Sequence, residues 1–174
     1  MARHDPTRIR LLCLDVDGVL TDGSVLIDDA GVETKRFFVR DGTAIRMWQR
    51  QGGMIAIITG RRGEALRHRA RELGIEHLVE GVERKGEAFA ALLASLGVDA
   101  EETAMVGDDL PDLPILERCG YPVAVQDAAS EVIEAACHVT TARGGRGAVR
   151  EVVELLLKAQ GDWESSVERY RERG

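Results

Sequence analysis

Two aspartates, Asp15 and Asp17, flank a single valine directly after an apolar run at residues 9–14. Such a run is typical of a buried strand, so both carboxylates are expected in the loop where that strand ends, with Gly18 allowing a tight turn. Two carboxylates this close repel each other unless a cation or a shared proton relieves them. The pair therefore indicates a site that binds a cation and acts on an anionic substrate. The simpler interpretation is an acidic turn or helix cap.

Polar residues also follow the other predicted strands. They are Thr59, Gly60 and Arg61 after residues 54–58, Lys85 at the start of a later helix, and Asp108, Asp109 and Asp112 after residues 103–106. A nucleophilic carboxylate, a hydroxyl donor, an ammonium and metal-binding acids are the parts needed to move a phosphoryl group. Separately, Thr59 is explained as a helix cap and Lys85 as a solvated surface charge. Their joint occurrence at successive strand ends favours the chemical interpretation.

Short apolar runs alternate with helical patterns along the chain. The runs cover residues 9–14, 54–58, 103–106 and 123–125, and the helical patterns cover roughly residues 43–51, 64–73, 86–96, 113–119 and 148–158. Glycines follow several of these helical patterns, as they commonly do at helix ends. The alternation predicts an α/β fold with a doubly wound, Rossmann-like parallel sheet, in which chemistry gathers at the carboxyl ends of the strands.

One stretch interrupts this alternation. Residues 25–27 and 35–39 flank a polar turn that contains Gly31. Two short runs around such a turn predict a β-hairpin, which we assign to residues 24–39 as an insertion in the α/β domain.

The spacing of the polar residues limits the size of any insertion. Thr59 follows Asp15 by 44 positions and precedes Lys85 by 26. The hairpin, two helices and a short strand fill these intervals, so we expect no large cap domain. A single domain is predicted over residues 1–160, followed by a charged tail at residues 161–174 that is either a frayed helix or disordered.

The composition of this 174-residue chain excludes several classes of protein. Its formal net charge of −7 and pI near 5.2 argue against a nucleic-acid partner, because phosphate backbones attract basic surfaces. We expect no membrane segment and no signal peptide, since no apolar run approaches the roughly 18 residues of a membrane helix. Dispersed cysteines without a CxxC pair indicate a reducing, cytoplasmic compartment.

Four sequence motifs together resemble those of the haloacid dehalogenase superfamily of phosphotransferases. They are DVDGVLTDG at residues 15–23, ITGRR at residues 58–62, the lone Lys85 before a helix, and VGDDLPDLP at residues 106–114. The resemblance implies that Asp15 is a nucleophile that becomes phosphorylated and that Asp17 is the general acid and base. It also implies that Thr59, Gly60 and Lys85 bind the phosphoryl group.

The same resemblance implies a Mg²⁺ cofactor. Asp15, the backbone carbonyl of Asp17, and Asp108 would hold the ion, while Asp109 and Asp112 would steady its surroundings. Because Mg²⁺ prefers hard oxygen ligands and retains water molecules, so acidic a site suits it.

Within the superfamily, residues 9–160 resemble the capless phosphatases of 3-deoxy-D-manno-octulosonate 8-phosphate and of nine-carbon, sialic-acid-type sugar phosphates. Residues 37–42 (FFVRDG) and 144–151 (GGRGAVRE) contribute to this narrower likeness. It implies a small phosphorylated sugar acid as the partner and a reaction in lipopolysaccharide precursor synthesis. It also implies a homotetramer with active sites near the subunit interfaces and the hairpin packed against neighbouring subunits.

The carboxylate of such a substrate requires a cationic partner besides the phosphate site. Arginine suits this role because its planar guanidinium forms two parallel hydrogen bonds to a carboxylate. Arg61 is the first candidate, since the relatives acting on nine-carbon acids often carry Glu there. Arg40 and Arg146 are further candidates. The ordinary alternative for Arg61 is a surface salt bridge.

A different class of protein fits part of the same pattern. Receiver-type signalling modules also combine a phosphoacceptor aspartate, an acidic metal-binding pair, a Thr and a Lys on a doubly wound sheet. In that family the acidic pair comes first and the phosphoacceptor in mid-chain, whereas here the DxD motif comes first and GDD last. Asp17 also supplies the acid and base that a turnover enzyme needs. Motif order therefore favours a phosphatase.

Overall fold

A computed structural model describes residues 4–172 and contains one six-stranded parallel sheet and one two-stranded hairpin. The strands are β1 (Leu11–Leu14), β2 (Leu26–Ile27), β3 (Glu33–Thr34), β4 (Met54–Thr59), β5 (His77–Glu80), β6 (Thr103–Gly107), β7 (Tyr121–Ala124) and β8 (His138–Val139). The order in the large sheet is β5-β4-β1-β6-β7-β8. The chain thus proceeds outward from β1 in one direction and then in the other, which confirms the predicted doubly wound α/β fold.

Seven helices are assigned within residues 4–172 besides short 3₁₀ turns. They are α1 (Val39–Arg50), α2 (Glu64–Leu73), α3 (Lys85–Leu96), α4 (Leu113–Leu116), α5 (Ser130–Ala135), α6 (Ala148–Gln160) and α7 (Trp163–Arg171). The predicted helix at residues 64–73 coincides with α2, but α5 and β8 were missed because both are short. Among these helices, none combines the length and the apolar character needed to cross a membrane.

The hairpin joins β2 to β3 and lies outside the large sheet. The prediction of its second strand at residues 35–39 was wrong, because β3 pairs Glu33 with Ile27 directly after the turn. The Asp28 side chain accepts hydrogen bonds from two backbone N–H groups of the turn at 2.9 and 2.8 Å. These hydrogen bonds make the turn short, so the strand pairing covers only Glu33 and Thr34 and ends before the predicted second strand. Residue 39 already begins α1, four positions before the predicted start at residue 43.

Alternation along the strands divides the core into two layers, one on each face of the sheet. One layer contains Leu12, Leu14 and Ile57 with Ile45 of α1, Leu66 of α2 and Val152 of α6, and the other contains Leu11, Cys13 and Ile58 with Phe89 of α3, Ile115 of α4 and Val132 of α5. A parallel sheet covered on both faces explains why its strands read as continuous apolar runs. The covered sheet holds the strand ends in fixed positions.

Helix α7 lies within the predicted tail. Ser166 is 3% exposed and its hydroxyl accepts a hydrogen bond from Gln51 at 2.8 Å. The Arg150 guanidinium lies 5.1 Å from the centre of the Trp163 ring. These contacts pack α7 against α6 and the end of α1, so residues 163–171 of the predicted tail form a packed helix. The first three residues of the predicted domain and the last two of the predicted tail lie outside the described range.

Candidate active site

The two central strands bring the DxD and GDD motifs to the same edge of the sheet. β1 and β6 pair with Leu14 opposite Val106, so Asp15 and Asp108 both follow the paired segment. The backbone N–H of Asp15 donates to the Val106 carbonyl at 3.2 Å, which extends the pairing into the loop. Both carboxylates therefore start from fixed backbone positions at the carboxyl ends of buried strands.

Lys85 connects these loops from the first turn of α3. Its ammonium lies 2.9 Å from Oδ2 of Asp15 and 2.7 Å from Oδ1 of Asp112, and its side chain is 5% exposed. The second Asp112 oxygen accepts a hydrogen bond from the backbone N–H of Asp108 at 3.0 Å. The sequence prediction that Lys85 acts beside Asp15 is consistent with this contact. We call Asp15, Lys85, Asp108 and Asp112 the acidic cluster.

The acidic cluster has the chemistry of a divalent-cation site. Oxygens of Asp15, Asp108 and Asp112 lie within 4.8 Å of one another. Oδ1 of Asp108 is buried and has no hydrogen-bond partner among the described residues. Three carboxylates and one ammonium leave two formal negative charges uncompensated. Hard oxygen ligands with excess negative charge suit Mg²⁺ and similar ions, so the residues fit the predicted cofactor.

Burial and mutual repulsion raise two pKa values in the acidic cluster. The pKa of Asp15 rises to about 6, through burial first and then the charge of Asp112, while Lys85 opposes the shift. The pKa of Asp108 rises to about 7, through burial first and then the charges of Asp15 and Asp112. In both cases burial contributes most, and the neighbouring carboxylates add to it because the cluster holds more negative charge than its own cation balances.

Glycines let three loops meet beside the acidic cluster. Gly18 has φ +89°, and a Cβ there would lie 1.9 Å from Oδ2 of Asp108. A Cβ on Gly144 would lie 1.6 Å from the Gly18 carbonyl oxygen. Neither approach tolerates a side chain, so the two glycines are required for Asp108 and the loop before α6 to pack against the DxD loop.

Thr59 and Gly60 lie at the end of β4, the neighbour of β1. β1 and β4 pair with Leu14 opposite Ile57, so Thr59 follows at the same edge of the sheet as Asp15. Thr59 is 2% exposed, and its hydroxyl oxygen accepts a hydrogen bond from the backbone N–H of Arg61 at 3.4 Å. The position agrees with the predicted phosphoryl-binding role, which stays a prediction.

Asp17 faces cations rather than the other carboxylates. Lys35 approaches Oδ1 of Asp17 at 2.5 Å, and Arg61 Nε lies 3.6 Å from Oδ2. Oε1 of Glu33 lies 3.0 Å from the Lys35 ammonium and 3.0 Å from Arg61 Nη2. The hydrogen bond from Lys35, with a smaller one from Arg61, holds the pKa of Glu33 below its usual value against the effect of burial. We call Asp17, Glu33, Lys35 and Arg61 the hairpin ring.

Sequence reasoning missed the contribution of Glu33 and Lys35 to the site. Both were assigned only to the hairpin, and a wrong strand boundary placed Lys35 in a second strand. The available signal was their spacing, because residues two apart in an extended segment point to the same side. Two opposite charges on the side that faces the DxD loop would have indicated a contact with it.

Arg40 and Arg146 line a separate surface groove of about 590 Å³ between the start of α1 and α6. That groove includes none of the residues of the acidic cluster or of the hairpin ring. Arg146 Nη2 approaches Asp22 at 3.9 Å, and Asp109 is exposed and uses its carboxylate to accept a hydrogen bond from the next backbone N–H. The roles assigned to Arg40, Arg146 and Asp109 stay predictions, and the groove does not bring the two arginines to Asp15.

A further buried carboxylate, Asp41, joins α1 to α6. It is 1% exposed, and its Oδ1 accepts a hydrogen bond from the backbone N–H of Arg150 at 2.8 Å. Burial raises its pKa to about 6, although the backbone N–H groups of Arg150 and Gly147 oppose the shift. Asp41 lies within the FFVRDG motif, which predicted no role for it, and its hydrogen bond joins α1 to the start of α6, directly after the loop that packs on Gly18.

The sequence is similar to known phosphatases. A model of the haloacid dehalogenase-like hydrolases matches residues 80–152. The 3-deoxy-D-manno-octulosonate 8-phosphate phosphatase of Escherichia coli is 50% identical over 153 residues, which cover 88% of this chain and 81% of that protein.

Solved structures are similar to the chain over nearly its whole length. The 3-deoxy-D-manno-octulosonate 8-phosphate phosphatase from Moraxella catarrhalis, in complex with magnesium, phosphate and KDO, has a TM-score of 0.93 at 38% identity and covers 95% of each chain. The cobalt-bound deoxy-D-mannose-octulosonate 8-phosphate phosphatase from Haemophilus influenzae has a TM-score of 0.88 at 41% identity, covering 91% of this chain and 92% of that one. Both of these structures contain a metal.

Proposed function

Because the chain belongs to the 3-deoxy-D-manno-octulosonate 8-phosphate phosphatases, a family of haloacid dehalogenase-like hydrolases, we propose that it releases inorganic phosphate from that sugar acid phosphate. The family makes it a phosphoric monoester hydrolase, as the motifs predicted. The observation that carries the proposal is the contact of Asp15 with Lys85 beside Asp108 and Asp112. The same membership disfavours the receiver-type alternative.

The reaction that these residues support has two steps. A carboxylate oxygen of Asp15 attacks phosphorus, the bond from phosphorus to the sugar oxygen breaks, and Asp17 protonates the departing oxygen. Asp17 then removes a proton from water as that water attacks the aspartyl-phosphate, which frees phosphate and restores Asp15. Contact with Lys85 fixes the orientation of the Asp15 carboxylate for the first step.

We assign the phosphoryl oxygens to Thr59, Gly60 and Lys85, at the ends of β4 and the start of α3. Asp15, Asp108 and the Asp17 backbone carbonyl would hold Mg²⁺, and the position of Asp112 adds it to the set of nearby oxygens. When bound, Mg²⁺ would supply electrostatic stabilisation of charge on the phosphoryl group. The retained negative charge of the acidic cluster supports this assignment, as does the magnesium in the Moraxella catarrhalis structure.

The substrate proposal depends on a second anionic group, the carboxylate of the sugar acid. Arg61 belongs to the hairpin ring and is 47% exposed, so its guanidinium is accessible beside Asp17. This position supports Arg61 as the carboxylate partner. The physiological role would be lipopolysaccharide precursor synthesis, in the cytoplasm, and the three free cysteines fit that reducing compartment. A nine-carbon sugar acid phosphate is the second candidate substrate.

A substrate panel tests the proposal. We expect the purified protein with Mg²⁺ to prefer 3-deoxy-D-manno-octulosonate 8-phosphate, measured as kcat/KM, over a nine-carbon acid phosphate and over an aryl phosphate. Arg61→Ala should reduce the preference over the aryl phosphate by about 10-fold to 100-fold, since one charged hydrogen-bonding partner is lost. Arg62→Ala, the neighbouring exposed arginine, is the matched control. An equal effect of Arg61→Ala on both substrates would contradict the assignment of Arg61.

The hairpin supports the proposal of a homotetramer. Val25, Leu26, Ile27 and Val32 are 49%, 50%, 61% and 58% exposed. An isolated two-stranded hairpin is marginally stable, so a cover for these side chains would stabilise it. Ile27→Glu should dissociate the assembly in sedimentation experiments, whereas Asp29→Asn in the same turn should not. A fully active wild-type monomer at assay concentration would contradict the proposed assembly.

A further inference from the structure

The chain's own Glu33 is already bound between two cations of the hairpin ring. A single oxygen, Oε1, lies 3.0 Å from the Lys35 ammonium and 3.0 Å from the Arg61 guanidinium. The side chain of Lys35 is 3% exposed, whereas that of Arg61 is 47% exposed. The two cations therefore form a pocket for a carboxylate that is open on the arginine side.

Charge balance limits what else this pocket can accept. The hairpin ring contains two carboxylates and two cations, so its formal charge is zero. Adding a third carboxylate would leave a net negative charge beside Asp17, next to the acidic cluster, which is already negative. Exchange of one carboxylate for another avoids this cost, because the count of charges is unchanged.

Of the two carboxylates in the ring, Glu33 has the greater freedom to leave. It lies on β3, a two-residue strand of a hairpin that is outside the large sheet. Asp17 lies in the glycine-packed loop after β1, which Asp108 and Gly144 contact closely. The longer glutamate side chain can also rotate into solvent without moving the backbone.

We infer that Lys35 and Arg61 form a carboxylate-binding subsite, that Glu33 occupies it in the free protein, and that the carboxylate of a phosphorylated sugar acid displaces Glu33 on binding. The inference rests on the proposed function and adds two residues to it. Lys35 becomes a specificity residue, and Glu33 an internal competitor of the substrate. Sugar phosphates without a carboxylate cannot displace Glu33 in this way.

The test uses the ratio of kcat/KM for 3-deoxy-D-manno-octulosonate 8-phosphate to kcat/KM for glucose 6-phosphate, which lacks the carboxylate. Glu33→Gln should raise this ratio by about threefold to tenfold, because the competitor no longer occupies the subsite. Lys35→Met should lower it by about 10-fold to 100-fold, and Lys35→Arg should restore part of it. The ratio cancels effects on the shared phosphoryl chemistry, including those caused by loss of the Lys35 contact with Asp17. Asp29→Asn, which removes a carboxylate from the hairpin turn, is the control for general electrostatic effects.

The outcomes separate the two proposals. A wild type that prefers the sugar acid, with a ratio that rises in Glu33→Gln but not in Asp29→Asn, supports the inference. A wild-type preference that Glu33→Gln lowers or leaves unchanged overturns the inference alone. A wild type that hydrolyses both phosphates equally well overturns the proposed substrate and the subsite with it.

Discussion

The acidic cluster and the hairpin ring lie beside the same loop but differ in charge balance. The acidic cluster has three carboxylates for one ammonium, and the hairpin ring has two of each sign. The first is built on the ends of β1 and β6 and the start of α3, whereas the second depends on the hairpin. An unbalanced group attracts a cation, while a balanced group takes up an anion only by exchange. Under the proposed function, the acidic cluster at the strand ends would carry the phosphoryl chemistry, and the hairpin ring would recognise the carboxylate of the substrate.

The largest expected effect on turnover comes from removing the charge of Asp15 in the acidic cluster. Asp15→Asn should lower kcat by more than about 10⁴-fold, because an amide keeps the shape but cannot attack phosphorus. Its thermal unfolding midpoint should stay equal or rise, since the acidic cluster loses a repulsive charge. Phosphate release and circular dichroism measure the two quantities. Near wild-type turnover in Asp15→Asn would disprove the covalent mechanism.

Asp17→Asn removes a carboxylate from the balanced hairpin ring and leaves the ring with an excess positive charge. Turnover should fall by about 10²-fold to 10⁴-fold through loss of the acid and base. The variant should also be destabilised, by about 1–3 kcal/mol, because the buried Lys35 ammonium loses one of its two carboxylate partners. A stability change of the same sign in Asp15→Asn and Asp17→Asn would show that the two groups are not distinct.

Metal binding should be specific to the acidic cluster. Mg²⁺ at about a thousandfold above its Kd should stabilise the wild type by about 4 kcal/mol in thermal unfolding, and a chelator should reverse both this gain and the activity. Asp108→Ala should abolish the stabilisation, because it removes a ligand and part of the excess charge. Glu33→Gln, which alters the hairpin ring, should keep it. Full activity in excess chelator would contradict the Mg²⁺ proposal.

The smallest effect concerns Asp41, which belongs to neither group and serves as a reference for a buried carboxylate. Its folded-state pKa of about 6 exceeds the ordinary value of 3.8, so the folded protein holds the proton more tightly than the unfolded chain does. Stability therefore falls as pH rises from about 4 through about 6. Relative to Asp41→Asn, the free energy of unfolding of the wild type should decrease by about 2 kcal/mol over this interval in urea titrations. If the difference in unfolding free energy between the wild type and Asp41→Asn did not change with pH, the raised pKa of Asp41 would be disproved.

The large sheet was predictable from the sequence because each buried strand is a continuous apolar run that ends at a polar residue. Residues 54–58 and 103–106 fall within β4 and β6. The hairpin was located, but its second strand was misplaced, since the side-chain contacts of Asp28 that close the turn leave no periodic pattern in sequence. Short elements such as β8 depend on the neighbouring strand for their pairing, which local pattern cannot reveal.

The carboxylates of the acidic cluster were predictable for a related reason: they follow the ends of strands that a parallel sheet brings to one edge. The hairpin ring was not, because Lys35 reaches Asp17, and Glu33 reaches Arg61, only through the fold of an insertion. The proposed role of Arg61 stays a prediction, and its contact with Glu33 could be found only from the three-dimensional structure. Asp41 lies in helix α1, and nothing in its sequence position indicates that it contacts α6.

Gly18 restricts how this sequence can evolve. The space that a side chain would fill there is already taken by the Asp108 carboxylate, and Gly144 is pressed against the Gly18 carbonyl on another side. A substitution at Gly18 would displace Asp108, and a substitution at Gly144 would displace Gly18 in turn. We therefore expect both positions to remain glycine as long as the three loops keep their present packing, although the two residues are far apart in the chain.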